Sequence, residues 1–162
     1  MNCITYSSPL GELYIIEEDG MLTHLYLNEE DYKASRQESL AVMEETPLLK
    51  EAAVQLEEYF QGKRKVFSLP IKQNGTPFQQ SVWAALQEIP YGTAKNYGQI
   101  AEEVGSPKAV RAIGQANRRN SLPIIVPCHR VIGKNQSLTG YAGSRTNLKE
   151  LLLNLENISY SP

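Results

Sequence analysis

The sequence predicts an α+β protein in which an N-terminal β-sheet domain with one helix precedes a C-terminal domain that has the outline of a winged helix. Apolar residues alternate with polar ones up to about residue 27, as in strands, and then recur mainly at helical spacing. Charge is also unevenly distributed between the two halves of the chain. Residues 12–58 hold 13 acids and 3 bases, whereas residues 95–134 hold 7 bases and 2 acids. A polyanion would therefore be attracted to the C-terminal part and repelled by the N-terminal part.

The bulk composition is typical of a globular protein, with 162 residues, 41% hydrophobic and 21% charged. We expect a domain boundary at Gln73–Gly75, which gives domains of residues 1–75 and 76–162. No apolar run reaches the roughly 20 residues of a membrane span, and the first residues lack the pattern of a secretory signal. The expectation is a cytoplasmic monomer without a membrane partner. Cys3 and Cys128 are too few for a disulfide framework or a zinc pattern, so we expect no metal.

The N-terminal domain begins with strand patterns. Asp19-Gly20 is a strong signal for a tight hairpin turn between two of them. Residues 29–45 are polar and acidic, which favours a loop with some helix. The predicted strands are Ile4–Tyr6, Leu13–Ile16 and Leu22–Leu27.

Two helices are predicted to begin in the same way. Thr46-Pro47 and Thr76-Pro77 each provide an N-cap side chain followed by the residue best suited to the first helical position. Apolar residues at helical spacing follow both pairs, and Gly62 and Pro90 end the helices. Between them, Val66–Ile71 is predicted to form another short strand.

Residues 97–117 have the pattern of a helix-turn-helix. Gly105-Ser106-Pro107 breaks two amphipathic stretches, with Ser106 as cap and Pro107 as the start of the second helix. Residues 131–141 are predicted to form a small hairpin, which would be the wing, and a last helix is expected over about residues 144–155. An ordinary helical hairpin with a charged, solvated face fits the pattern equally well. The outward-facing residues of the second helix would be Lys108, Arg111, Gln115 and Arg118.

The segment Leu122–Ile132 carries the chemistry, because an apolar run leads through Pro127 to Cys128, His129 and Arg130. A cysteine beside a histidine and an arginine can have a lowered pKa, and the thiolate is the reactive nucleophile. In a strand, adjacent side chains point to opposite faces. Direct pairing of the thiol with the imidazole therefore needs a turn or a helix start at Pro127, or a bridging water.

The run Pro127–Val131 resembles the active-site signature of the O6-alkylguanine-DNA alkyltransferases, also called methylated-DNA–protein-cysteine methyltransferases. The resemblance extends from Phe78 to about Glu156, roughly half the chain. The N-terminal half is consistent with the ribonuclease-H-like sheet domain of this family but offers no motif. Further matches in the same order are Tyr91-Gly92, Tyr97, Pro107–Arg111, Asn120, Gly140-Tyr141 and Lys149-Glu150.

The resemblance implies DNA repair by irreversible, single-turnover transfer of an alkyl group from O6 of guanine, and less well from O4 of thymine, to Cys128. In the family pattern His129 takes the thiol proton through a water, and Glu150 orients His129. Asn120 lies in the hinge before the active site and orders it. Tyr97 donates its hydroxyl to the base, which makes guanine a better leaving group. The resemblance implies no cofactor, because the lesion is itself the alkyl donor.

The implied partner is double-stranded DNA carrying O6-alkylguanine, flipped out of the helix. Arg111 would enter the base stack in place of the extruded nucleotide. The DNA-binding residues implied with it are Lys108, Ala109, Gln115, Arg118 and Arg130. The substrate pocket would be lined by Tyr97, Val131, Tyr141, Ala142 and Gly143.

Three other functions fit parts of the sequence. Alkyltransferase-like proteins recognise the lesion without repairing it, but they carry tryptophan at the position of Cys128. A transcription regulator would use the winged helix, although the members of the family that control genes have extra N-terminal domains. A cysteine hydrolase would need an oxyanion loop, which is not evident. Asn96 and Asn117 depart from residues common in the family, and these departures bear on substrate preference.

Overall fold

The computed structural model describes residues 1–133 and 146–161 and confirms a mixed α+β fold. The chain divides into two compact units, Met1–Gln73 and Asn74–Pro162. Among the described residues, no helix combines the length and the apolar character needed to cross a membrane.

Unit 1 is built on a four-stranded sheet in the order β3-β2-β1-β4. The three predicted strands are confirmed, and each pairs antiparallel with its sequence neighbour. Asp19 and Gly20 adopt positive φ angles of 53° and 77°, which a tight two-residue hairpin turn requires. The strands are β1 (Asn2–Ser8), β2 (Gly11–Glu18), β3 (Met21–Tyr26) and the short β4 (Val42–Met43), which runs parallel to β1.

The helices of unit 1 are α1 (Glu29–Lys33), α2 (Gln37–Leu40) and α3 (Pro47–Phe60). Helix α3 begins as predicted, because the Thr46 side chain accepts a hydrogen bond from the Leu49 backbone N–H. The strand predicted at Val66–Ile71 is wrong: only Ile71 pairs, with Leu22. The side chain of Gln55 in α3 bonds instead to both the N–H and the C=O of Ser68, at 2.9 and 3.1 Å, and so replaces the ladder that a strand would make.

Unit 2 packs its helices around buried apolar residues that include Val82, Leu86, Ile100, Ile113 and Leu153. Thr76 caps the first of these helices reciprocally with Gln79, as a capping box does. The elements are α4 (Pro77–Gln87), β5 (Lys95–Asn96), α5 (Tyr97–Glu103), α6 (Val110–Arg118), β6 (Val131–Ile132) and α7 (Thr146–Leu155).

Helices α5 and α6 pack against each other and form the predicted helix pair. The second helix begins at Val110, three residues later than predicted, because the Ala109 N–H bonds to the Ser106 carbonyl and closes a separate turn first. Strand β6 pairs in parallel with β5. The other strand of the predicted hairpin, and the predicted start of the last helix before Thr146, lie outside the described residues.

Candidate active site

The segment that leads to Cys128 is held in one conformation by the side chain of Asn120. Its Oδ1 accepts a hydrogen bond from the Leu122 N–H at 3.0 Å, and its Nδ2 donates to the Val126 carbonyl at 2.8 Å. Residues 122–130 are all buried. Ile124 has a φ of 77°, a left-handed conformation that is unfavourable for a β-branched residue and persists only where the surroundings enforce it.

We expect Asn120→Ala to lower the free energy of unfolding by about 1–3 kcal/mol, because it leaves a backbone N–H and a backbone carbonyl of the segment without this partner. Urea unfolding measures the change. The control is Asn154→Ala on the exposed side of α7, which should change the stability by about 0.5 kcal/mol or less. An Asn120 variant as stable as the control would show that the two bonds do not hold the segment.

Cys128 is the first residue of a single turn of 3-10 helix, Cys128–Arg130, which we call the Cys128 turn. The Arg130 N–H donates to the Pro127 carbonyl at 3.0 Å and closes the turn. The chain thus turns at Pro127, which was one of the conditions that the sequence set for cooperation between the thiol and the imidazole. Cys128 is 3% exposed, so it is almost completely buried.

His129 is fully buried and its Nε2 lies 2.6 Å from Oε2 of Glu156, which follows the end of α7. Burial lowers the pKa of His129. The hydrogen bond and the charge of Glu156 oppose this effect, and the positive charges of Arg130 and Lys149 add to it. The imidazole is therefore neutral near pH 7, which is the form that can accept a proton.

The carboxylate that orients His129 is therefore Glu156, and the prediction of Glu150 is wrong. Glu150 lies half-buried within α7. Six residues at helical spacing place the two acids about 120° apart around the helix axis, so they face different surroundings. The signal that could have identified Glu156 is its position as a single acid directly after the apolar run that ends α7.

Arg130 is 6% exposed and binds Glu156 rather than the surface. Its Nε donates to Glu156 Oε1 at 2.8 Å, its Nη2 to Oε2 at 3.2 Å and its Nη1 to the Ile89 carbonyl at 2.7 Å. The guanidinium also lies 5.6 Å from the centroid of the Tyr91 ring. Arg130 therefore does not share the exposed surface of the other predicted DNA-contact residues, because a buried carboxylate and a carbonyl occupy its donors.

Two residues to which the sequence assigned no role in catalysis contact the backbone at the start and at the end of the Cys128 turn. Asn117, 5% exposed in α6, donates from Nδ2 to the Cys128 carbonyl at 3.3 Å. Lys149, fully buried in α7, donates from Nζ to the Val131 carbonyl at 2.6 Å. Burial lowers the pKa of Lys149 to about 8, and the negative form of Cys128 opposes that shift. A buried lysine is rare enough to mark a functional position.

A separate cleft of about 440 Å³ lies along α6, lined by Tyr97, Val110, Arg111, Gly114, Gln115 and Arg118. Tyr97, the first residue of α5, is half-buried there. Lys108, Arg111, Gln115 and Arg118 are exposed and Ala109 is half-buried, so these predicted contact residues share one accessible region. Val131, predicted to line a pocket, is fully buried in β6. The predicted pocket residues Tyr141, Ala142 and Gly143 lie outside the described residues.

Residues 77–158 match the model for the 6-O-methylguanine DNA methyltransferase DNA-binding domain, and residues 1–73 match the ribonuclease-like domain of the same enzymes. A constitutive methylated-DNA–protein-cysteine methyltransferase of Bacillus subtilis is 61% identical over 158 residues, which cover 96% of this chain and 95% of that protein. A methyltransferase of the same name from Mycobacterium leprae is 44% identical, with 96% and 92% covered.

Solved structures agree with the sequence comparisons. The O6-methylguanine methyltransferase of Mycobacterium tuberculosis has a TM-score of 0.86 at 42% identity, covering 99% of this chain and 94% of that chain. A second structure from the same organism, OGT in complex with DNA, has a TM-score of 0.86 at 40% identity, with 96% and 92% covered. The ribonuclease-like N-terminal domain and the C-terminal DNA-binding domain expected from the resemblance are confirmed.

Proposed function

The chain belongs to the 6-O-methylguanine DNA methyltransferase family, and we propose that Cys128 is the residue that takes the alkyl group from O6 of an alkylated guanine. DNA repair by alkyl transfer to a cysteine of the protein is the activity of the chain. The observation that carries the assignment to Cys128 is its position next to His129, which is buried, neutral and bonded to Glu156. Cys3, the other cysteine, lies in a buried apolar cluster with Ile16 and Tyr32 and lacks these neighbours.

The transfer is a displacement at a saturated carbon. The Cys128 sulfur forms a bond to the alkyl carbon, the bond from that carbon to O6 breaks, and its electron pair stays with guanine. The thiol proton passes to His129, through a bridging water in our proposal, and Tyr97 supplies a proton to the departing base. Guanine and an S-alkyl cysteine are the products. A thioether has no tendency to leave in water, so each molecule reacts once and needs no co-reactant.

In the proposed mechanism the two nitrogens of His129 have different tasks. Glu156 engages Nε2, so Nδ1, on the opposite edge of the ring, is the nitrogen that exchanges the proton. Arg130 donates a hydrogen bond to each of the two oxygens of Glu156 and so fixes the position of the carboxylate. Once His129 is protonated, the imidazolium faces a carboxylate that is already in place, which stabilises the charge without reorganisation.

Double-stranded DNA carrying O6-alkylguanine is the proposed partner, bound by a monomer. The exposed residues Lys108, Gln115 and Arg118 lie where they can contact phosphates. Extruding a nucleotide costs a few kcal/mol. In our proposal Arg111, which is exposed on α6 and lines the cleft with Tyr97, fills the gap in the base stack.

Intact mass spectrometry tests the proposal. After incubation with a duplex that carries one O6-methylguanine, we expect the protein to gain the mass of one methyl group, and digestion should place it on Cys128. The same duplex with unmodified guanine is the control. A methyl group on any other residue would overturn the assignment to Cys128, and transfer of several methyl groups per molecule would contradict the single-turnover chemistry.

Arg111→Ala should slow repair of duplex DNA much more than reaction with free O6-benzylguanine, because a free base needs no extrusion from a helix. We expect a loss of about tenfold or more on duplex, from the unstacking energy that is no longer offset, and little change with the free base. Single-turnover rates on the two substrates measure the difference. Arg36→Ala, an exposed arginine of unit 1, is the control. Equal losses on both substrates would contradict the role in flipping.

A further inference from the structure

Lys149 is a buried cation that the transfer chemistry described so far does not use. It lies on α7, which packs against the Cys128 turn. Its Nζ donates to the Val131 carbonyl at 2.6 Å. That carbonyl is neutral, so the bond satisfies a donor of the ammonium group but does not balance its charge. Removing an ammonium group from water costs free energy, which other interactions of the folded protein must offset.

Lys149 is connected to Cys128 through the backbone of Val131. The Val131 N–H donates to the Cys128 carbonyl and ends the turn, and the Val131 carbonyl is the acceptor for Lys149. Lys149 therefore holds the backbone three residues after the nucleophile, where the Cys128 turn ends. The charges of the two side chains also interact, because a negative Cys128 favours the protonated form of Lys149.

Arg130 and His129, the two basic residues of the Cys128 turn, both contact Glu156. Arg130 neutralises Glu156 through two hydrogen bonds. His129 is kept neutral by burial, although Glu156 opposes this. Glu150, on the same helix as Lys149, is half-buried and lies one residue further along. Lys149 is a buried lysine whose positive charge interacts with the negative form of Cys128.

We propose that Lys149 is a positioning residue whose ammonium group stabilises the thiolate of Cys128 before the alkyl group is transferred. The inference rests on the proposed role of Cys128 as nucleophile. In an interior with a low dielectric constant, an ammonium group stabilises a nearby anion more than it would in water. The attraction ends when the sulfur becomes a neutral thioether, so Lys149 favours the reactive form of the protein over the alkylated form.

The pH dependence of thiol reactivity tests this without DNA. The rate of Cys128 alkylation by iodoacetamide is measured from pH 5 to 10 in a Cys3→Ala background, and its midpoint reports thiolate formation. Lys149→Met should move the midpoint upward by about one pH unit, which is roughly a tenfold loss of thiolate at neutral pH. Lys149→Arg keeps the charge and should stay near the parent midpoint. Lys50→Met, at an exposed lysine of α3, is the control.

A structural role would give a different result. If Lys149 only ties α7 to Val131, Lys149→Met would keep the parent midpoint and lose rate equally at every pH, which would overturn the inference. Lys149→Gln is the second variant, because it keeps a donor for the Val131 carbonyl without the charge and should shift the midpoint as methionine does. Methyl transfer from DNA to the unchanged protein is measured separately. An unshifted midpoint with intact transfer removes only the role of Lys149, whereas absent transfer removes the proposed function.

Discussion

Cys128→Ala is expected to abolish alkyl transfer and to leave the affinity for DNA within about twofold of the parent. The sulfur is the only atom of the proposed mechanism that bonds to the alkyl carbon, so neither the base nor its orienting carboxylate can compensate for its loss. In the proposed complex, exposed cations such as Arg111 and Lys108 supply the DNA affinity, and the buried sulfur of Cys128 makes no contact with phosphates. The alanine variant should therefore bind the lesion and fail to repair it.

The measurement uses a duplex with radiolabelled O6-methylguanine, with binding followed by fluorescence anisotropy at one salt concentration. Cys3→Ala is the matched control, because it removes the other cysteine. Burial raises the pKa of the Cys3 thiol, so it is mainly protonated and unreactive at neutral pH. The control should keep full transfer. Label that stays on the Cys128→Ala protein would show that another residue is the acceptor.

Glu156→Gln should lower the single-turnover rate by roughly 10²–10⁴-fold, the range that a positioned proton acceptor contributes. An uncharged amide cannot balance the imidazolium that forms on His129, and it no longer fixes which ring nitrogen is free. The same change leaves Arg130 buried without its counter-charge, so we also expect a loss of stability of about 3–5 kcal/mol. The rate and the urea unfolding curve are both measured, and the rate is taken where the variant is still folded.

Glu150→Gln is the matched control for Glu156, since the family resemblance implied that Glu150 orients His129. It lies half-buried on α7, away from the pair formed by His129 and Glu156. We expect less than a twofold change in rate and a change in stability within about 0.5 kcal/mol. If the two glutamine variants behaved alike, the hydrogen bond at Glu156 would not be the one that matters.

The sequence was sufficient to predict the structure where interactions between residues close in sequence determine it. The Asp19-Gly20 turn and the helix starts at Thr46 and Thr76 depend on side chains within three residues, and all three are found in the structure. The mixed fold and the family followed from motifs that stand close together along the chain. The partial failure at Val66–Ile71 came from Gln55, whose side chain takes the backbone bonds of Ser68 from 13 residues away.

The errors at the site have a similar cause. The resemblance implied that Arg130 is a DNA-binding residue, and charged residues are usually exposed, whereas a carboxylate 26 residues further along holds Arg130 inside. The choice between Glu150 and Glu156 depends on the rotation of α7 relative to the Cys128 turn. That rotation is set by tertiary packing, which the periodicity of one helix does not reveal.

The hydrogen bonds of Arg130 and His129 also determine when the site can form during synthesis of the chain. They join the Cys128 turn to Ile89, which follows α4, and to Glu156, which follows α7, across separations of 41 and 26–27 residues. A growing polypeptide leaves the ribosome with its thiol before it has the carboxylate that orients the neighbouring imidazole. Closure of such distant contacts waits for the later segment. In a nascent chain Cys128 therefore lacks the oriented imidazole, which forms only once α7 and Glu156 have emerged and docked.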